Sequence, residues 1–257
     1  MSRSFPVALA VCRRTWVKTL RRPVVLSFSF VQPVMWMLFF GFLFQRYPLV
    51  DLPPGTSYLD FLAPGVCAMT VLFGASQSGI SWIRDLQTAF LGRMLQTPAG
   101  HRSILAGKVA ADVLRLLAQA LVVLSIAALL GARVRFAPLE ALAALACLAL
   151  FGTAFSCLSC TIALRARAQE AMAVFVHVVN MPILFTSTAL VPKKQMPDWL
   201  AAISAWNPLT LTVDAWRGAL LFGSAPSLGG QVLPLALLGL LFFPLAAAAM
   251  RSAARSE

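Results

Sequence analysis

Apolar residues recur in six runs of roughly 20 residues, near 24–44, 61–83, 104–130, 139–164, 171–190 and 232–250. About 20 such residues make a helix long enough to cross about 30 Å of hydrocarbon. Lipid leaves no exposed backbone group unsatisfied, so such runs cross as helices. The runs predict an all-α, polytopic membrane protein with six transmembrane helices. Composition agrees: 60% of the 257 residues are apolar and 12% charged, against about 45–50% and about 25% in a soluble domain. Disorder, a disulfide-rich secreted module and most soluble enzymes are excluded. No internal repeat is evident, and residues 1–257 are expected to form a single domain.

The net charge is +12, but its distribution does not point to nucleic acid. Bases cluster at the ends of the apolar runs, where they anchor spans and meet anionic lipid. Arg3, Arg13, Arg14, Lys18, Arg21 and Arg22 precede the first run. Six crossings return the C-terminus to the same side, adding Arg84, Arg93, Arg102, Arg165, Arg167, Arg251 and Arg255. The other side holds Arg46, Arg133, Arg135, Lys193, Lys194 and Arg217. Thirteen bases against six place both termini in the cytoplasm. The first run is too long for a signal-peptide core and lacks a small-residue cleavage site, so no removable signal is expected.

Three segments do not read as spans. Within 6–22, Leu9, Cys12, Trp16 and Leu20 share one helical face, and Arg14, Lys18 and Arg21 the opposite one. That pattern predicts an amphipathic helix in the headgroup layer with its bases outward. Within 84–98, Leu86, Phe90 and Met94 form a stripe flanked by Leu91 and Leu95, with Asp85, Gly92, Arg93 and Gln96 on the other side. Pro98 disfavours helix at Thr97. A short helix joined to two spans is a lever that a partner could move by its apolar face. Within 192–221, two short apolar helices meet at Asn207-Pro208, an N-cap followed by proline at the first helical position. Neither is long enough to cross, which predicts a re-entrant hairpin. Asp214 and Arg217 stand at i, i+3 and can pair.

No catalytic, cofactor or metal constellation is present in the sequence. Gly107-Lys108 is not a phosphate-binding loop, because Arg102 and Val109 stand where that motif requires Gly and Ser or Thr. Cys157 and Cys160 have the C-x-x-C spacing but apolar flanks, so helix packing is the expected role. His177 lies mid-run with Asn180 three residues on, which favours an interhelical hydrogen bond over a proton relay. No carboxylate pair stands out deep in a span, so no energy source of the chain's own is visible.

Several stretches together resemble the permease subunit of type-2 ABC exporters, in the daunorubicin-resistance-like and polysaccharide-export-like group. They are Arg21-Arg22-Pro23 with Gln32-Pro33; Tyr58-Leu59-Asp60-Phe61-Leu62-Ala63-Pro64-Gly65; Asp85 through Leu95-Gln96-Thr97-Pro98 with Gly107-Lys108; and Met196-Pro197-Asp198-Trp199-Leu200 running on to Asn207-Pro208-Leu209-Thr210 and Asp214-Ala215-Trp216-Arg217. The resemblance covers nearly the whole chain. It implies that 6–22 is an interface helix, with Arg13, Arg14, Trp16 and Lys18. It implies that 84–98 is a coupling helix docking on an ATPase through Arg84, Asp85, Leu86, Phe90, Leu91, Arg93, Met94, Leu95, Thr97 and Pro98. It implies that 192–221 gates the outer exit through Trp199, Trp206, Asn207, Pro208, Asp214 and Arg217. The run from Arg84 to Gly92 departs from the Glu-rich, Gly-Thr-Leu-Glu-like family pattern.

The expected function is the non-enzymatic membrane subunit of an ATP-driven exporter. Its expected partners are two cytoplasmic ABC ATPase subunits that bind the ATP and Mg, a second permease copy, and membrane lipid. The expected location is a bacterial plasma (inner) membrane. Spans rich in Phe, Leu and Met and poor in charge suit an amphipathic drug, a lipid or a lipid-linked glycan. Trp36, Phe40, Phe73, His177 and Asn180 are the path-lining candidates. Two other classes stay open on the residues alone. An ion-coupled secondary carrier would work without an ATPase and stop with the proton gradient. A membrane scaffold would not transport, and a membrane-embedded enzyme would need a polar cluster that the sequence does not show.

Overall fold

The computed structural model describes residues 4–20, 23–44, 55–88, 90–95, 100–133 and 138–255, with side chains at 6–18, 30–44, 55–88, 90, 92–94, 100–133 and 138–253. Most of the described residues are helical, with no strand among them. The helices are α1 (Ser4–Leu20), α2 (Pro23–Leu43), α3 (Tyr58–Gln87), α4 (Phe90–Leu95), α5 (His101–Leu129), α6 (Pro138–Ala166), α7 (Gln169–Phe185), α8 (Asp198–Trp206), α9 (Pro208–Arg217) and α10 (Leu233–Arg255).

A helix lies at each of the six apolar runs. α3, α5, α6 and the segment Leu228–Ala253 are long and apolar enough to cross a membrane. Phe30–Leu43 and Gln169–Phe185 are shorter apolar stretches. α3 is the central pillar. It starts in a reciprocal capping box: the Asp60 N–H donates to Ser57 Oγ (3.2 Å), and the Ser57 N–H to Asp60 Oδ2 (2.6 Å). Every residue from Phe61 to Phe73 is buried, because α3 packs against α2, α5, α6, α7 and α9. One apolar cluster gathers Phe61, Leu72, Phe151 and Trp216 around its first half. A second gathers Trp82, Ile104, Met172 and Met250 around its far end.

The outer surface reverses the pattern of a soluble protein. Phe39, Phe42, Leu121, Val178 and Leu240 are exposed, while several polar side chains turn inward and pair. Ser76 Oγ on α3 donates to Asn180 Oδ1 on α7 at 3.0 Å. Ser159 Oγ on α6 donates to Ser76 O (2.6 Å) and accepts from the Gly79 N–H (2.9 Å). Hydrogen bonds between helices take the place of the hydrophobic drive that lipid cannot supply.

Two glycines set close approaches. A Cβ at Gly107 would overlap the Ala8 carbonyl, and one at Gly65 the Ala189 carbonyl. The first lets α1 lie directly on α5; the second seats the chain after α7 on α3.

Candidate functional site

Candidates from 6–22 and 84–98 converge on one carboxylate. Lys18 Nζ of α1 donates to Asp85 Oδ1 at 2.9 Å, and Lys108 Nζ of α5 donates to Asp85 Oδ2 at 2.6 Å. Asp85 and Lys108 are buried, whereas the Lys18 side chain is 37% exposed. The Lys108 ammonium also stands 3.9 Å from the centre of the Trp82 ring. Arg14 of α1 lays its guanidinium over Phe90 of α4, 3.4 Å from the ring centre. The end of α3, α4, α1 and α5 thus meet in one charged and aromatic joint.

This geometry corrects the expected faces. Asp85 is not on a solvated side, because two lysines draw it inside. Arg14 and Lys18 do not both point away into headgroups, since their partners lie within the chain. The 84–98 segment is not one helix: α3 ends at Gln87, Thr88 donates its hydroxyl to Arg84 O at 2.9 Å, and α4 starts at Phe90. Nor is the apolar stripe wholly free for a partner. Leu86 and Met94 pack against the second core cluster, and Phe90 is half-buried under Arg14. Arg13, Arg84 and Arg93 are exposed, and Trp16 is half-buried. Thr97 and Pro98, with the side chains of Leu91 and Leu95, lie outside the described residues.

The sequence reading met Lys108 only beside Gly107 and missed its ion pair, and it did not single out Asp112, which is buried one turn further along α5. Asp112 Oδ2 has no hydrogen-bond partner among the described residues. Two carboxylates, Asp85 and Asp112, therefore lie buried on α3 and α5, where no such pair was expected. The available signal was a Lys and an Asp at i, i+4 inside an apolar run, an expensive placement in lipid.

The hairpin candidates separate into two groups. Asn207 joins three elements: its Oδ1 accepts from the Leu209 N–H (2.8 Å), and its Nδ2 donates to Ile183 O (2.6 Å) and Thr186 Oγ1 (2.8 Å). Pro208 opens α9. Arg217 Nη1 lies 3.5 Å from Asp214 Oδ1. Arg217 Nη2 donates to Thr188 O (3.1 Å) and Phe61 O (3.3 Å), and Thr188 Oγ1 donates to Asp214 Oδ1 (3.1 Å). The guanidinium also covers the Phe61 ring at 3.8 Å. α9 is thereby tied to both α3 and the end of α7. Trp199 and Trp206 do not join this group; they are 66% and 88% exposed on the outer face of α8.

The path candidates divide as well. Trp36 and Phe40 stack at 4.9 Å, and the column continues through Phe44, Tyr58 and Phe61 to Arg217. Phe73 is buried in the core and lines no surface. Among the described residues His177 makes no interhelical bond: it is exposed, and its Nδ1 lies 2.8 Å from Ala173 O in its own helix. Asn180 carries the interhelical bond instead. None of the five cysteines forms a disulfide.

Long apolar helices with paired polar groups turned inward define a multi-pass membrane protein. The chain belongs to the ABC-2 type transporter family, whose profile matches residues 7–221. It is a membrane permease of that family, and such permeases work with ATP-binding subunits. A putative transport permease ycf38 of Cyanophora paradoxa is 32% identical over 80% of this chain and 71% of its own. The daunorubicin resistance ABC transporter permease protein DrrB1 of Streptomyces coeruleorubidus is 29% identical over 79% and 70% respectively. A probable doxorubicin resistance permease, DrrC, of Mycobacterium tuberculosis is 27% identical over 69% and 61%.

Proposed function

We propose that the chain is the non-enzymatic membrane subunit of an ATP-driven exporter, folded as one domain. Two copies enclose the substrate path, and two separate cytoplasmic ATPase subunits bind the ATP and Mg. The observation that carries this reading is the extent of the family match, 7–221, which takes in both the α1–α4 joint and the hairpin. Relatives named for daunorubicin and doxorubicin resistance favour export of an amphipathic drug, with a lipid or lipid-linked glycan as related cargo. Closure of the ATPases would press on α4, and the joint at Asp85 would pass that displacement to α1, α3 and α5. The Asn207 and Arg217 contacts would let α9 move with α3 and α7, opening the outer exit. The termini are cytoplasmic in this reading, and the membrane is a bacterial plasma membrane.

The test is transport of daunorubicin in inverted vesicles holding the chain with its cognate ATPase. ATP-dependent uptake that survives an uncoupler of the proton gradient is expected. Uptake that needs no ATPase and collapses with the gradient would instead make the chain a secondary carrier.

A further inference from the structure

Beside the α8–α9 hairpin lies a pocket of about 140 Å³. Its walls are Phe185 at the end of α7, Leu190 and Val191 after it, and Met196, Pro197 and Leu200 leading into α8. An apolar cavity of about 150 Å³ accepts a benzene-sized group, so this one fits the end of a hydrocarbon chain. Of its polar walls, Ser187 spends its hydroxyl inside the chain, donating to Leu184 O (2.7 Å) and accepting from the Ala189 N–H (3.2 Å). The chain segment that supplies the pocket wall is amphipathic. Phe185, Val191 and Trp199 are exposed. Lys193 and Lys194 are also exposed, on the single 3-10 turn Lys193–Gln195, whose Gln195 lines the pocket.

An apolar pocket whose Gln195 wall directly follows two exposed lysines in the chain suits an amphipathic anion. We propose that it binds an anionic phospholipid, one acyl chain entering between α7 and α8 and the phosphate lying on Lys193 and Lys194. Exposed Trp beside Lys is the usual furniture of the headgroup layer. A zwitterionic lipid would fill the pocket equally well but gain less from the two cations. The proposal rests on the reading of 192–221 as a hairpin at membrane depth.

The experiment uses the full chain alone in nanodiscs. They carry trace phosphatidylglycerol or phosphatidylcholine with a photoactivatable diazirine near the acyl terminus. Insertion at 185–200 is compared with insertion at exposed Leu237, Leu240 and Leu241 of α10, which report surrounding lipid. Phosphatidylglycerol should label the pocket more strongly than phosphatidylcholine, by about fivefold for each lysine. The pair Lys193→Gln and Lys194→Gln should reduce it to the phosphatidylcholine level. Leu200→Trp should abolish pocket labelling and leave α10 unchanged, and Val191→Phe should do the same by filling the other wall. Equal labelling by both lipids, or labelling that survives both filling variants, would mean surrounding lipid only and overturn the proposal. No ATPase is present, so failure here is distinct from failure of the transport reading.

Discussion

Lys108 of α5 reaches across to Asp85 at the end of α3, with 2.6 Å between Nζ and Oδ2 and both side chains buried. Lys18 holds the other oxygen of the same carboxylate from a half-exposed position on α1. Removing one member of a buried ion pair commonly costs about 3–5 kcal/mol, because it strands the other charge. An exposed pair is worth about 0–1 kcal/mol. Asp85→Ala should therefore destabilise most, Lys108→Met nearly as much, and Lys18→Gln least. Thermal unfolding in detergent measures the order, and Lys18→Gln ranking first would contradict it.

Phe90 meets Arg14 within the chain and remains half-buried. Phe90→Asp should lower co-purification of the ATPase by about thirtyfold, equivalent to about 2 kcal/mol for losing an apolar anchor. Arg14→Gln removes a cation–π contact worth about 0.5–1 kcal/mol, so docking should change by no more than about fivefold. Wild-type recovery of the ATPase with Phe90→Asp would show that α4 is not its docking point.

Asn207→Leu removes the α9 cap and two bonds to the end of α7. A cap is worth about 1 kcal/mol and each further hydrogen bond about 1 kcal/mol, so a loss of about 2–3 kcal/mol is expected in this region. Faster amide exchange in 207–211, with little change in α3, would be its signature. Uniform exchange along the chain would assign the residue a global role instead.

Asp214→Arg would place two guanidinium groups one turn apart beside Thr188. ATP hydrolysis by the docked partner should persist while transport falls, since α9 is remote from the α1–α4 joint. Intact transport, or loss of transport through loss of ATPase binding, would show that the hairpin does not gate the exit.

The side assignment is tested by single cysteines. Ser224→Cys should react with an impermeant maleimide in intact cells. Ser2→Cys and Ser256→Cys should react only after lysis. Reaction of Ser2→Cys in intact cells would invert the topology.

Run length and corner chemistry were local facts, and the chain alone determined them. A helix forms wherever about 20 apolar residues follow one another, and α8 and α9 meet at Asn207-Pro208 because asparagine caps and proline starts a helix. Helical periodicity also set Arg14 and Lys18 on one face of α1. It could not say what that face meets. Asp85 finds Lys18 and Lys108 at sequence separations of 67 and 23 residues, and only the packing of α1 onto α5 at Gly107 brings them together. The same limit explains the hairpin. Trp199 and Trp206 read like Trp216, as large apolar groups in short helices, yet Trp216 is buried and the other two face outward. Burial in a membrane protein is decided by which helix lies alongside, since lipid accepts an apolar side chain as readily as a core does. His177 and Asn180 show it within one turn: they stand only about 60° apart around the helix axis, yet the neighbour at Ser76 selects the asparagine.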